Sequence, residues 1–334
     1  MEWSDGFSAR YYATVVDPVT WRDMEMLDII SGSINITEDS LIESASLSVQ
    51  NYDTSAERWI RVWLDARQKS DSYHGALFTG LATSPSYSIE GTTFKNDLTC
   101  YSVLKPADDV LLPYGWYISA GTNGAGTVQD LLSMIPAPIH IDDNSPNLSN
   151  TIVAESGESN LSMANKILYA IGWRFRIDGD GTINIIPNAV DTSASFDSIY
   201  NDCLETTVSV ENDWFRCPNV FRASNNGVTA IARDDSEDSY FSTVNRGREI
   251  WMEEPSCYLM EGELVSEYAE RRLKEEQQKN YKISYTRRYD PNVRCSDLIR
   301  IHYPAQLIDG IFYVSSQTIS LGHGASVSET AFMV

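Results

Sequence analysis

Two glycine-rich segments have the residue types and spacing that ligand-binding loops use. Asp178-Gly179-Asp180-Gly181 alternates carboxylates with glycine, and alternating carboxylates can converge on a hard cation such as Ca²⁺. The third oxygen ligand and the distant glutamate of a complete calcium loop are missing, so we interpret the segment as a hairpin turn. Residues 121–127 precede a predicted helix, as a phosphate-binding loop does, but lack the lysine of a P-loop and a preceding dinucleotide-fold strand. We interpret them as a flexible loop.

The remaining residues of catalytic type are dispersed along the chain. His74, His140, His302 and His323 form no HExxH or HxxxH pair, and no GxSxG motif is present. The sequence therefore predicts no catalytic residues, no metal site and no cofactor, and we expect a protein that is not an enzyme.

The five cysteines are odd in number, widely spaced and without a CxxC pair. We expect reduced, mostly buried thiols. The first residues lack the basic and apolar regions of a signal peptide, and no apolar run is long enough to span a membrane. These features predict folding in a reducing cytoplasm without membrane contact.

Acidic residues outnumber basic ones along the whole chain. The basic and acidic counts are 8 and 15 in residues 1–105, 3 and 12 in residues 106–204, and 14 and 20 in residues 205–334. Since affinity for nucleic acid begins with lysine and arginine neutralising phosphates, specific DNA binding is disfavoured. An acidic surface instead suits a wall that DNA passes without sticking, although it equally suits a surface that only prevents aggregation.

One acidic run is a candidate for such a wall. Asp234, Asp235, Glu237 and Asp238 lie within five residues. A solvated loop is the simpler interpretation. The more specific alternative is a loop that faces a channel, where its carboxylates keep phosphates from adhering.

The predicted elements alternate between β and α/β units. Residues 9–105 indicate strands, with Ala45, Leu47 and Val49 alternating with polar residues, and with breaks at Pro85 and Gly91. We favour a strand over a helix for residues 59–64, because aromatic and β-branched residues crowd them.

Beyond residue 106 the pattern changes to helices. Thr127 and Asp130 match a capping box and predict a helix from that point to Pro136. Residues 159–171 predict a second amphipathic helix with Gly172 as its C-terminal stop, followed by a hairpin over residues 173–186.

The last third returns to strands with one helical interruption. Asn225-Asn226-Gly227 predicts a tight hairpin, and residues 310–334 predict the closing strands. Between these segments, residues 261–279 predict a helix with three acid-before-base pairs at a spacing of four: Glu267–Arg271, Glu270–Lys274 and Glu275–Lys279.

The helix at 261–279 has one apolar side flanked by charges, so it can pack on a sheet or on another subunit, and it is a candidate subunit interface. The residues proposed for this interface are Leu264, Tyr268, Arg271 and Leu273.

A weak internal likeness links the two β regions. Phe78 and Phe312 each lead, through a Ser/Thr-rich stretch, into alternating strands that close the region. Internal repetition would give one chain two copies of a similar surface.

Three stretches, in order along nearly the whole chain, carry a family resemblance. They are residues 31–53 with 77–81, residues 155–183, and the helix at 261–279 with the strands that follow it to Val334. The chain resembles the central hub proteins of tailed-phage baseplates and tail tips, a family that includes the hub of contractile coliphages, its equivalent in phage Mu, and prophage tail proteins of Gram-positive bacteria.

The resemblance implies a mainly β fold with α/β parts. Two tube-type β-barrels would flank a small α/β domain. The implied limits are 1–105 for the first barrel domain, 106–203 for the α/β domain and 204–334 for the second barrel domain, with a helical insertion at about 234–279. No lysozyme, peptidase or fibre-binding module is visible, so no wall-degrading activity is implied.

The resemblance also implies an assembly. A homotrimer with six barrels would adapt a six-fold tail tube to a three-fold tip and line the channel for tape-measure protein and DNA. The implied partners are the tail tube or distal tail protein, the tape-measure protein and the tip, spike or fibre proteins, with DNA passing without specific binding. The implied location is the virion tail tip, after assembly in the host cytoplasm.

Two other readings remain open. The abundance of Trp (8) and Tyr (18) suits a carbohydrate-binding or glycoside-cleaving β-protein of a virus particle, which released reducing ends would reveal. The excess of arginine (18) over lysine (7) with high acidity suits adaptation to salt, which requires unfolding at low ionic strength.

Overall fold

The computed structural model describes residues 1–3, 5–38, 43–50, 52–90, 93–142, 145–188, 195–199, 207–212, 214–303, 308–322 and 324–334. Strands dominate, and twelve of them form one continuous sheet. The predicted mainly β fold with α/β parts is confirmed. No helix in the described ranges is long and apolar enough to cross a membrane.

The first β unit closes on itself. Its strands are β1 (Ser8–Val16), β2 (Asp23–Thr37), β3 (Ser44–Gln50), β4 (Arg58–Gln68), β5 (Asp71–Glu90) and β6 (Thr93–Ser102). Because β1 pairs with both β4 and β2, the order β1-β4-β5-β6-β3-β2 is a closed ring of strands. Alternate residues such as Ile34, Leu47 and Val62 fill its interior.

Two local predictions in this unit have different outcomes. Residues 59–64 lie within β4, so the preference for a strand is confirmed. The predicted break at Pro85 is wrong, because β5 continues to Glu90 with a register shift between Thr83 and Ser86. Such a shift accommodates a residue that lacks an amide donor for the ladder. Gly91 lies outside the described residues.

The α/β unit follows and has its own core. Its elements are α1 (Lys105–Asp109), β7 (Tyr117–Ile118), α2 (Gly124–Leu131), β8 (Ile139–Ile141), β9 (Ile152–Val153), α3 (Asn160–Ala170), β10 (Trp173–Ile177) and β11 (Ile183–Pro187). Helices α2 and α3 pack together, with α3 against β10 and α2 against β8, and Val128, Leu161 and Ile167 are buried in this core. The helix at 159–171 and the hairpin at 173–186 are confirmed.

Helix α2 corrects two predictions. It begins at Gly124 rather than Thr127, because the Asn123 side chain caps it by accepting a hydrogen bond from the Gly126 amide at 2.7 Å. Residues 121–127, interpreted as a flexible loop, therefore include the cap and first turn of this helix.

The second β unit supplies the other half of the large sheet. Its strands are β12 (Ser195–Ile199), β13 (Ser209–Asn212), β17 (Tyr281–Arg288), β18 (Leu298–Tyr303), β19 (Ile308–Ser320) and β20 (Ser326–Met333). The sequence assigned β12 to the α/β domain, but β12 pairs with β18 and so belongs to this sheet. The remaining domain limits stay predictions.

A smaller layer is inserted between β13 and β17. It contains β14 (Val220–Asn225), β15 (Val228–Arg233), α4 (Thr243–Arg246), β16 (Trp251–Glu254) and α5 (Val265–Gln278). The β14–β15 hairpin turns at Asn226 and Gly227, which have φ of +47° and +82°, as the Asn-Gly signal predicted. Helix α5 begins at Val265 rather than Glu261, since the Gly262 φ of +79° is not helical.

The two β units share one strand order. In each, counting strands along the chain, the order in the sheet is first, fourth, fifth, sixth, third, second: β1-β4-β5-β6-β3-β2 and β12-β18-β19-β20-β17-β13. Phe78 and Phe312, the residues of the weak sequence likeness, are buried in the two fifth strands, β5 and β19. The units differ in that β12 runs parallel to β18, and the described residues show no β12–β13 pairing. Closure of the second barrel therefore stays a prediction.

One strand pairing joins the two units. Residues 33–37 of β2 pair antiparallel with residues 316–320 of β19, so the second strand of one unit meets the fifth strand of the other. Ile34 and Ile319 face each other in this pairing and are both buried. The two units are thus joined in one continuous sheet.

Candidate assembly surfaces

One face of the large sheet carries small polar side chains across both β units. The cross-strand rows, read from partner to partner, are Ser209, Ser284, Thr330, Ser316 and Thr37; Thr286, Ser328, Thr318, Asn35 and Ser44; and Ser320, Ser33, Ser46, Thr99 and Thr83. We call this the hydroxyl face. Because side chains alternate along a strand, the intervening residues fill the cores.

The hydroxyl face is ordered by its own hydrogen bonds. Thr318 Oγ1 donates to Asn35 Oδ1 at 2.9 Å, across the junction of the two units. The Thr286 and Ser328 hydroxyls lie 3.0 Å apart. At the margin, Lys282 is paired with Glu211 at 3.1 Å, which offsets its positive charge. The three rows are thus neutral, polar and short in side-chain length, whereas longer side chains such as Tyr101, Lys95 and Arg288 lie on the same face at the ends of the rows.

The predicted acidic loop lies in the inserted layer and is internally braced. Asp234 accepts from Gln277 Nε2 of α5 at 3.0 Å and from the Ser236 amide at 3.2 Å. Hydrogen bonding from Thr243 lowers the pKa of Asp235, and Asn245 donates to the Glu237 carbonyl at 2.7 Å. Asp235, Glu237 and Asp238 are exposed. Whether this loop faces a channel stays a prediction.

The structure separates the four candidate interface residues of α5. Tyr268 and Leu273 are buried against β14 and β15 inside the chain. Leu264 is exposed and Arg271 is half-buried. An interface on this helix would therefore use its outward side, and that role stays a prediction.

The ion pairs of α5 also differ from those predicted. Glu267 accepts from the Leu264 amide at 2.9 Å and so caps the helix. Arg271 pairs with Glu263 and Glu275, and Lys279 pairs with Glu276 rather than Glu275. Glu267 is used as a cap, and Arg271 pairs with an acid of the preceding loop. The spacing of charges along the helix does not reveal either contact.

The Asp178-Gly179-Asp180-Gly181 segment is the hairpin turn that was predicted, with a structural role that the sequence did not reveal. It closes β10 and β11, and Gly181 has φ of +83°. Arg61 Nη2 and Trp21 Nε1 of the first β unit donate to the Asp180 carbonyl at 2.9 and 3.0 Å.

The same turn contacts the second β unit. Arg294 Nη1 lies 2.6 Å from Asp178 Oδ1. The turn therefore ties the α/β unit to both β units, and its carboxylate has a partner inside the chain.

Close packing at this turn leads to the first testable prediction. A Cβ on Gly179 would lie 2.0 Å from the Ala76 carbonyl oxygen, so Gly179→Ala forces two backbones apart. We expect it to lower the free energy of unfolding by about 1–3 kcal/mol, the usual range for overpacking. Urea unfolding measures this, with Gly6→Ala as a control because nothing lies within 4 Å of that Cβ. Equal stability of the two variants would contradict the contact.

The other residues of catalytic type do not converge in the described part of the chain. His74 stacks on Trp63 and lies 2.7 Å from Asp65, while His302 lies 3.5 Å from Asp309. His323 is outside the described residues. No group of three or more potential metal ligands occurs where side chains are described.

The cysteines in the described ranges agree with the sequence. Cys100, Cys217 and Cys257 are buried thiols, and Cys295 is half-buried. Cys203 lies outside the described residues.

Comparison with known proteins identifies the fold. No family model and no curated protein sequence matches the chain. A tail protein from Neisseria meningitidis MC58 has a similar structure with a TM-score of 0.72 at 12% identity, covering 98% of this chain and 96% of that one. The 43 kDa tail protein of prophage MuSo2 from Shewanella oneidensis gives 0.68 at 12% identity, covering 97% and 98%.

A third structure agrees. Prophage tail protein gp18 from Listeria monocytogenes EGD-e has a TM-score of 0.59 at 13% identity, covering 96% of this chain and 94% of that one. The chain therefore has the fold of these phage tail proteins over nearly its whole length, and the resemblance indicated by the sequence is confirmed at the level of the fold.

Proposed function

We propose that the chain is a structural tail hub protein at the distal end of a phage-type tail. The observation that carries the proposal is the repeated strand order in two units joined by the β2–β19 pairing. One chain thereby presents two quasi-equivalent wall segments, and three chains would present six. That arrangement adapts a six-fold tail tube to a three-fold tip.

In this proposal the hydroxyl face lines the channel. Its short neutral side chains give a passing polymer neither a hydrophobic patch nor a row of cations to bind. The acidity of the chain adds long-range repulsion of DNA. Tape-measure protein and DNA would pass without specific binding, and the chain would act mechanically rather than as an enzyme.

The proposed partners follow from the position of such a ring. The tail tube or distal tail protein would contact one rim, and tip, spike or fibre proteins the other. The tape-measure protein would occupy the channel until ejection. The chain would assemble in the host cytoplasm and remain in the virion tail tip.

The test combines mass in solution with imaging. Light scattering on the purified chain is expected to give three times the 37.4 kDa monomer mass, and electron microscopy of the particle is expected to show a three-fold ring with the hydroxyl face inward. A reconstruction that places the chain away from the three-fold axis would reject the proposed function.

A further inference from the structure

Strand β13 has a partner on one side only among the described residues. This strand pairs with β17 through residues 209–212 and, in the described part of the chain, with nothing on its other side. All four of its residues are exposed, including Val210 at 44%. An unpaired strand edge with an apolar side chain is a template for another strand.

A second open edge lies at the far end of β5. Residues 80–82 pair with β4 on one side and β6 on the other, but the β4 pairing ends at Arg58 opposite Ala82. Residues 86–89 continue along β6 alone among the described strands. Tyr87 and Ile89 are 66% and 58% exposed there.

These two edges are the repeated counterparts of the pairing that already joins the β units. In the second unit, the β18 pairing with β19 ends at Leu298 opposite Tyr313, and residues 316–320 then pair with β2. The intrachain contact therefore joins the second strand of the first unit to the end of the fifth strand of the second unit. At that end, the fifth strand has passed its pairing with the fourth strand. The two open edges are the same parts with the units exchanged. β13 is the second strand of the second unit, and residues 86–89 are the end of the fifth strand of the first unit, past its pairing with the fourth strand.

The side chains match in the same way. In the intrachain contact, Ile34 lies opposite Ile319 on the core-facing side. Val210 is on the core-facing side of β13, since its partner on β17 is the buried Ile283. Tyr87 shares a side with its buried partner Asn96, and Ile89, two residues on, points the same way. If the two edges pair with their core-facing sides on the same side of the sheet, Val210 lies opposite Tyr87 or Ile89.

We propose that β13 of one copy of this chain pairs antiparallel with residues 86–89 of β5 in the next copy, so that the hydroxyl face continues from chain to chain. The contact is heterologous, because each copy uses β13 on one side and β5 on the other. Such a contact closes into a ring when the rotation permits. Closure at three chains rests on the proposed function, whereas the pairing itself rests on the repeated strand order.

Cysteine pairs test the contact directly. Val210→Cys combined with Ile89→Cys, or with Tyr87→Cys for the other register, is expected to give disulfide-linked oligomers of up to three chains on mild oxidation. Directly opposed residues of an antiparallel pair have Cβ atoms about 5 Å apart, close enough for such a link. The three single-cysteine variants show any linkage through the native cysteines and are expected to stay unlinked.

A charge substitution gives an independent readout. Val210→Asp places a carboxylate in the apolar contact and is expected to weaken self-association at least tenfold, measured by light scattering across a dilution series. Tyr114→Asp is the matched control, because Tyr114 is 98% exposed and belongs to the α/β unit rather than to either of the two strands. It is expected to associate like the parent chain.

The outcomes separate this inference from the proposed function. A trimer in which neither cysteine pair crosslinks, and in which Val210→Asp has no effect, overturns the edge pairing and leaves the hub proposal standing. Crosslinked rings of another size support the pairing and reject the three-fold hub. A chain that remains monomeric and uncrosslinked at the highest attainable concentration counts against both.

Discussion

Arg287→Ala is expected to destabilise the protein by about 3–5 kcal/mol, the cost of leaving a buried charge without its partner. The Arg287 and Glu329 side chains are 3% and 0% exposed. They form a bidentate pair, with Arg287 Nη2 and Nε donating to the two carboxylate oxygens at 2.6 and 2.8 Å. Gln317 Nε2 also donates to Glu329 at 2.7 Å and to the Val293 carbonyl at 2.9 Å.

The effect follows from the asymmetry between breaking and replacing a buried pair. Removing the guanidinium leaves a carboxylate in the interior of the second β unit, where solvent cannot stabilise its charge. Replacing both partners with apolar side chains removes both desolvation costs, so Arg287→Met with Glu329→Leu is expected to recover most of the lost stability.

Urea unfolding followed by circular dichroism measures these differences. The exposed pair of Arg300 and Asp309 supplies the control, since both side chains are more than half exposed. Arg300→Ala is expected to cost less than about 1 kcal/mol. If Arg287→Ala lowers the free energy of unfolding no more than Arg300→Ala does, burial does not make the Arg287–Glu329 pair more costly to break than an exposed pair.

The sequence predicted the features that depend on neighbouring residues. The turn at Asn226 and Gly227 follows from backbone conformations that few other residues adopt, and the alternation of Ala45, Leu47 and Val49 follows from the two-residue period of a strand. The stop of α3 at Gly172, with φ of +69°, is of the same kind. Each signal lies within a few residues of its effect.

The missed features depend on residues far apart in the chain. The β2–β19 pairing joins Asn35 to Thr318, and the residue types of either segment do not predict which strand it pairs with. The anchoring of the Asp180 carbonyl by Arg61 is a contact across 119 residues. The segment was correctly interpreted as a turn, but local residue types could not show what it touches.

The apolar side of α5 was only partly predicted for a related reason. Leu264 fits the helical spacing but precedes the first helical turn and is exposed, while Ala269 is buried against the β14–β15 layer. Spacing identifies a stripe, whereas the start of the helix depends on the Gly262 conformation and on the Glu267 cap. The candidate interface was drawn from the stripe and therefore included two core residues.

A buried carboxyl group makes the stability of this protein depend on pH. Glu43 immediately precedes β3 and is 8% exposed. It lines a cavity of about 100 Å³ where the two β units and the β10–β11 hairpin meet, together with Gly179, Arg174 and Asp297. Burial raises the pKa of Glu43 to about 8.

The sign of the dependence follows from proton binding. Between about pH 4.5, the ordinary pKa of the group, and about pH 8, the folded chain holds a proton on Glu43 that the unfolded chain has lost. Stability from this group is therefore greatest below pH 4.5 and falls as pH rises through that window. Burial also raises the pKa of Asp297, so this second carboxyl acts in the same direction.

Glu43→Gln is expected to stabilise the protein by about 3 kcal/mol at pH 7, because Glu43 must bind a proton when the chain folds at that pH whereas glutamine binds none. The gain is expected to shrink towards zero near pH 4.5, where glutamate itself is protonated. Urea unfolding of the parent and the variant at pH 5, 6, 7 and 8 measures the difference, which should grow with pH. Glu57→Gln, the same substitution at an exposed position, is the control.

A gain for Glu43→Gln that is independent of pH would show that the effect is steric rather than electrostatic. A loss of stability at pH 7 would show that the Glu43 carboxylate is stabilised by contacts that only the charged form makes. The expected pattern instead places a titrating group where the two β units and the β10–β11 hairpin meet.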